Sequence, residues 1–499
     1  MNNLLRLCVL AGLAMNSLVA VAQPLPRGQP EEEGISASAL LDFVNALDQQ
    51  VEGIHAVMVV RHGKVVAEGW WRPYDANHNH VLYSLSKSFT STAVGLTVAE
   101  GKLSVDDEVL KFFPDDAPAE PSNNLKAMRV RDLLMMSSGH QDEPSAAPDV
   151  ISPKTFLAQP VPHLPGTHFK YNTAATFMQS AIVQKVTGQT TLDYLRARLF
   201  EPLGISNPVW DTNFQGISLG GYGLRVRTED IAKFGQLYLQ KGQWKGKQLI
   251  PASWIEMATT RQTSNGSNPK SDWSQGYGFQ FWRCRHNAFR GDGAFGQFCV
   301  VMPEQDTVVA INSGTKDLQI PLNVIWDKLL PALQPKPVKK HNDAKRRLEA
   351  RLQELEIRPA QGAATSPLAT KVLNRKYAFP VNDEKVESLT LSSQDGDKTL
   401  ILHVWMEGKE LVIPCGYHDW RTGRGFLPGP RMGQFADEPI AGTFGWEPEE
   451  TCQVKFCACE TPFHVVMKLK FEGDEVRLDS EMNVGFGATK RATLKGKGN

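Results

Sequence analysis

The chain has 499 residues, with 54 lysines and arginines against 54 aspartates and glutamates, so its formal net charge is zero. No basic run is long enough to follow a phosphate backbone, which argues against a nucleic-acid partner. Hydrophobic and charged fractions of 41% and 22% are those of a soluble globular protein, and the length allows more than one domain.

Residues 1–22 read as a secretory signal peptide. Arg6 supplies the positive start, 7–13 and 18–22 are apolar and small, and Ala20-Val21-Ala22 fits the small-x-small cleavage rule, placing the mature start at Gln23. Asn16 and Ser17 keep the apolar run too short for a stable span. Cys8 lies near the start of that run, too early for a lipid-modified mature N-terminus. The expected location is the bacterial periplasm or the extracellular space, with no membrane span after signal removal. Six cysteines then remain: Cys284, Cys299, Cys415, Cys452, Cys457 and Cys459. An even number in an oxidising compartment implies disulfides. The alternative, a metal held by Cys452, Cys457, Cys459 and His464, matches no common zinc spacing, so no metal is expected.

Along the mature chain a helix is expected over 37–49, then a hairpin of strands 55–60 and 64–71 around His62-Gly63. Residues 88–100 read as a helix with Phe89, Ala93, Leu96 and Val98 as apolar points and Gly101 as its stop. A short helical piece at 130–136 ends at Ser137-Ser138-Gly139, and helices follow at 173–187 and 192–200 with Gly188 between them. Ile231, Phe234, Leu237 and Leu239 mark an amphipathic helix over 228–241. Three strands at 277–282, 296–302 and 307–312 precede a helix at 318–333. Strands at both ends of the segment and helices between them indicate an α+β domain over 23–333, its sheet completed by both ends. Pro331, Pro335 and Pro337 make a stiff break and 339–356 reads as a charged helix or linker, which suggests a Pro-rich and charged connection over 334–370. Strand-like runs at 389–391, 399–405, 410–413, 464–471 and 475–478 then suggest a separate antiparallel β-barrel or sandwich over 371–499.

The chemistry-bearing stretch is Ser84-Leu85-Ser86-Lys87. Positions i and i+3 share a helix face, so the Lys87 amine can reach the Ser84 hydroxyl and act as its base if burial lowers its pKa. The helix N-terminus there favours developing negative charge. A second stretch runs from Pro165-Gly166-Thr167 through Tyr171, Asn172 and Thr173. A phenol beside an ammonium could be lowered enough to take the serine proton. In a third, Gly291-Asp292-Gly293-Ala294, the glycines let a strand edge approach a substrate and offer an N–H to an oxyanion, with the Ser84 N–H as second donor.

In the order and spacing of these three features the chain resembles the serine β-lactamase-related family. That group contains class C β-lactamases, D-alanyl-D-alanine carboxypeptidases, β-lactamase-like esterases and 6-aminohexanoate-dimer hydrolases. Val130-Arg131-Asp132-Leu133-Leu134 through Ser138-Gly139, and Gly220-Gly221-Tyr222-Gly223-Leu224 with Asp230, are similar too, and the likeness covers about 30–333. It implies a penicillin-binding-like transpeptidase fold, an antiparallel sheet flanked by helices plus a helical subdomain. It also implies Ser84 as nucleophile, with Lys87 and Tyr171 sharing the base role. The oxyanion and substrate side would use Ser84, Gly293, Ala294, Asp292, Asn172 and Thr173, and no cofactor. The C-terminal domain is loosely similar to lipocalin-like domains appended to some members.

Two departures shape the expected substrate. The family motif often reads Tyr-x-Asn, whereas here Tyr171-Asn172-Thr173 puts threonine in the amide's place. The strand motif of β-lactamases and carboxypeptidases begins with lysine, and here Gly291 stands there, followed by Asp292. A substrate carboxylate therefore loses its cation, unless Arg290 compensates. The expectation is a serine hydrolase of small esters, amides or peptides rather than an efficient β-lactamase or carboxypeptidase, with oligomeric state open. A rival nucleophile, Ser218 in Gly216-Ile217-Ser218-Leu219-Gly220, matches the α/β-hydrolase elbow but lacks the flanking strand and helix, and its triad would need Asp292 or Asp306 with His403. The competing class is a non-catalytic binding protein on the same fold. His78 and His80 are read as a polar loop at the cleft mouth.

Overall fold

A computed structural model describes residues 23–395, 398–427, 432, 435, 437–448 and 450–499. The signal peptide read at 1–22 lies outside the described residues. No helix among those described is long and apolar enough to cross a membrane.

Ile54–Arg61 (β1) is buried at every residue because both of its faces are covered. Val57 and Val59 join a cluster with Ala37–Gln50 (α1). Met58 and Val60 point the other way, into a cluster shared by Ser86–Ala99 (α2), Thr173–Thr187 (α3) and Thr228–Leu239 (α4). β1 turns at His62 and Gly63, with φ of 48° and 76°, into Lys64–Trp70 (β2), the two-residue hairpin expected there. Trp282–Arg283 (β3), Phe289–Gly293 (β4), Gln297–Met302 (β5) and Thr307–Ser313 (β6) complete an antiparallel sheet of order β2-β1-β6-β5-β4-β3. Early and late strands thus share one sheet. The strand expected over 277–282 shrinks to β3, because Gly276 (φ 109°) and Gln280 (φ 65°) break the extended backbone. β4, by contrast, was legible only as a Gly-rich turn: all five residues are buried, so no polar alternation marks it.

Residues 334–370 are not a free spacer. Asn342–Gln353 (α5) lies on α1, with Leu348 buried and Leu352, one turn on, partly so, while Leu355 is buried just beyond the helix end. Arg351 donates to Asn45 Oδ1 at 2.9 Å and pairs with Asp48 at 2.6 Å.

Beyond α5, nine of the ten described strands from Lys376–Ala378 to Leu494–Gly498 close into a barrel. The first strand pairs antiparallel with the last, and closure is a parallel pairing of Cys415, Gly416 and Tyr417 with Gly442, Thr443 and Phe444. Glu438–Glu447 escapes sequence reading for the same reason as β4. Phe444 and Val454 fill the barrel, while Ala441 and Cys457 pack on the α1 side of the six-stranded sheet. Burial on both faces erases the period of two.

Asn483 pins the two bodies together. Its amide donates to Gly314 O and Pro462 O, each at 2.9 Å, and its carbonyl accepts the His464 N–H at 2.8 Å. Asn483→Ala leaves these buried groups unpaired, and a loss of about 3 kcal/mol is expected, read as a lowered thermal midpoint.

All six described cysteines are free and buried, which corrects the disulfide expectation. They are shared among three separate cores: Cys299 against α4, Cys284, Cys457 and Cys459 on the α1 side, and Cys415 and Cys452 inside the barrel. Each serves as a small apolar side chain. The same separation removes the metal alternative, since Cys452 faces the barrel interior and Cys457 the opposite side.

Candidate active site

Ser84 sits in the one-turn helix Tyr83–Leu85 that runs directly into α2. Helical geometry brings Lys87 Nζ to 3.1 Å from Ser84 Oγ. The amine also reaches Thr173 Oγ1 at 3.3 Å and Gly221 O at 2.8 Å. A Cβ at Gly221 would stand 2.6 Å from Thr173 Cγ2, so only glycine lets this backbone carbonyl approach the lysine. Lys87 is 1% exposed and hydrogen-bonds no carboxylate. Burial pulls its amine down to about 7, against the opposing pull of Glu143 and Asp292. Near neutral pH roughly half of it is an unprotonated amine, able to accept a proton.

Tyr171 joins the same group. Its ring centroid is 4.9 Å from Lys87 Nζ, and it stacks on Trp282 at 5.5 Å. Its hydroxyl hydrogen-bonds Ser84, yet desolvation and the Asp292 carboxylate push its pKa far above that of an ordinary phenol. The expected lowering by a lysine ammonium does not occur, because desolvation of the ring hydroxyl outweighs it. Tyr171 therefore stays a protonated hydroxyl, and of the two groups Lys87 is the one whose unprotonated form is populated near neutral pH.

β4 packs its glycine face on this turn. A Cβ at Gly293 would fall 2.0 Å from Leu82 O, and one at Gly291 would fall 2.4 Å from Leu85 Cδ1. Gly291 and Gly293 thus let the strand lie against the nucleophile's helix. Gly293→Ala meets rigid backbone, and a loss of about 3 kcal/mol is expected, read as a lowered thermal midpoint. On the other face Arg290 and Asp292 pair at 2.8 Å. Arg290 is fully buried 4.3 Å from the Trp273 ring and donates to Asp272 O at 2.7 Å. Its charge is consumed in the fold, so it does not replace the missing strand lysine, and Asp292 sits behind the site rather than on the substrate side.

Of the remaining expected residues, Ala294 and Thr173 line a cleft of about 570 Å³ with Ser84. Asn172 does not: its buried carbonyl accepts the Ala175 N–H at 3.0 Å as the N-cap of α3. Thr173 supplies the lysine contact instead. Asp132 and Asp230 are likewise helix caps, accepting the Arg129 and Arg227 N–H groups at 2.8 and 3.1 Å. Ser218 is fully buried with no helix after it, and His403 pairs with Glu410 in the barrel, which removes the rival triad. His78 pairs with Asp75 at 3.0 Å and stays part-exposed, and His80 is buried 3.2 Å from His55, so neither lines the cleft. For His80 the reason is burial, invisible in a polar-looking stretch.

Glu143, Met432 and Phe486 line the cleft and were not legible in the sequence. Glu143 follows Ser138-Gly139 closely, which was the one local hint. Met432 and Phe486 come from the barrel, where Phe486 packs edge-on against Tyr83 at 5.3 Å and Phe295 at 4.8 Å.

A model of the beta-lactamase family matches residues 40–319, more than half of the chain. The chain belongs to the beta-lactamase family. It is 23% identical over 314 residues to the 6-aminohexanoate-dimer hydrolase of Paenarthrobacter ureafaciens, covering 58% of this chain and 80% of that one. It is 27% identical over 241 residues to the D-aminopeptidase of Brucella anthropi, covering 45% of each. A penicillin-binding protein homologue from Caulobacter crescentus superposes on 61% of this chain and 98% of its own, with a TM-score of 0.50 at 16% identity, a likeness of fold alone. Both named relatives are hydrolases, and this beta-lactamase-family chain carries the barrel outside the matched residues.

Proposed function

We propose that this beta-lactamase-family protein is a serine hydrolase that works through an acyl-enzyme on Ser84. The observation that carries the reading is a buried lysine amine 3.1 Å from the serine hydroxyl, with a pKa drawn down to about 7. Lys87 takes the Ser84 proton as Oγ attacks the carbonyl, and the Ser84 and Ala294 N–H groups stabilise the oxyanion. Tyr171 passes the proton to the leaving group, and water then releases the acyl group. The named relatives support amide and peptide substrates alongside simple esters. With Gly291 at the strand position and Arg290 committed to Asp292, penicillins and D-alanyl peptides lack a partner for their carboxylate. The leader pattern at 1–22 supports export to the periplasm or beyond. The test is labelling of the mature protein with a fluorophosphonate, followed by peptide mapping. An adduct on Ser84 is expected, and an adduct elsewhere, or none together with no ester turnover, refutes the assignment.

A further inference from the structure

Resting on that serine-hydrolase reading, we propose that Glu143 selects substrates whose acyl group carries an ammonium, so that the preferred donors are aminoacyl esters or amides. Glu143 and Ser84 line one cleft, and Glu143 is exposed. One carboxylate oxygen accepts the Thr173 N–H at 2.6 Å, and no basic side chain pairs with Glu143 among the described residues. The neighbouring acids are matched: Asp292 by Arg290 at 2.8 Å, and Asp211 by Arg225 at 2.9 Å.

The described residues lining the cleft include no lysine or arginine, and apart from Ser84, Thr173, the two tyrosines and Glu143 they are apolar: Pro144, Ala146, Ala147, Pro148, Ala294, Met432 and Phe486. A single uncompensated carboxylate in an apolar-walled cleft attracts a cation more strongly than it would in open water. Thr173 fixes its distance from the chemistry. Its N–H is held by Glu143, and its hydroxyl lies 3.3 Å from the Lys87 amine. The carboxylate is therefore one residue away from the base, and an amine a few bonds from the scissile carbonyl reaches it while Ser84 attacks that carbonyl. A substrate carboxylate placed there is repelled, which agrees with the missing strand lysine.

The competing role is purely structural, since a carboxylate on the first N–H of α3 also stabilises the helix. Glu143→Gln keeps an acceptor for Thr173 and removes the charge, whereas Glu143→Asp keeps the charge. The measurement is kcat/KM for the ethyl esters of D- and L-alanine against their N-acetyl counterparts, with p-nitrophenyl butyrate as neutral reference. In the parent the free-amine ester of at least one hand is expected to exceed its acetylated form by roughly tenfold or more. The ratio is expected to fall to about one in Glu143→Gln, through KM, and to survive in Glu143→Asp. A parent ratio of one or less, a ratio unchanged in Glu143→Gln, or a ratio lost equally in both variants with a lowered thermal midpoint overturns the inference. Butyrate turnover without alanine-ester turnover overturns this inference alone, whereas no turnover of any ester overturns the serine-hydrolase reading beneath it.

Discussion

Ser84→Ala is expected to lower the turnover of p-nitrophenyl butyrate by at least about ten-thousandfold while leaving the thermal midpoint close to that of the parent. The size follows from mechanism. Ser84 Oγ is the atom that bonds the acyl group, and Lys87 and Tyr171 act only through it, so its removal disables the group as a unit. Stability is spared because Ser84 is half-buried and its hydroxyl meets the lysine amine and the tyrosine hydroxyl, which still have other partners or solvent. A variant that keeps most of the parent's activity would show that the nucleophile lies elsewhere. The buried Ser218 offers no ready substitute.

Lys87 is expected to show a second large effect, with a pH signature of its own. Its amine titrates at about 7, and only the unprotonated form accepts the serine proton. The sign follows: kcat/KM rises with pH to a plateau above 7 and falls about tenfold per unit below it, to roughly a hundredth at pH 5. Lys87→Ala is expected to cost about a thousandfold or more. Lys87→Arg separates proton transfer from simple positive charge, because a guanidinium cannot be deprotonated in this range. It is expected to be as inactive as the alanine variant, and an active arginine variant would assign the lysine a purely electrostatic role. Tyr171, held far above the ordinary phenol range, contributes no limb between pH 5 and 9.

These expectations show where sequence reading succeeds. Ser84 and Lys87 are three residues apart, so one helical turn suffices to bring them together, and a single spacing rule finds them. The His62-Gly63 hairpin and the helix over Thr173–Thr187 are legible for the same reason, since turn chemistry and apolar period are local. Asn172 was misplaced by its motif although its local signal was plain: an asparagine before a helix is a cap, and that is what it does. Strands buried on both faces, such as Phe289–Gly293 and Glu438–Glu447, carry no polar alternation, and a period-two rule does not find them.

The amino-acid order alone determined which side chains were available for acyl transfer, how the early helix presents them and where a β-rich segment begins. Only the tertiary structure decided their protonation and company. Whether Lys87 or Tyr171 takes the proton depends on desolvation by residues far along the chain and on Asp292, more than two hundred positions away. Whether Arg290 serves the substrate or the fold depends on Trp273 and Asp292 closing over it. That Glu143 alone stays unmatched in the cleft, and that a barrel's Phe486 walls it, are likewise matters of packing. Charge pairing, burial and two-faced strands are properties of neighbours in space, and a spacing rule reads only neighbours in sequence.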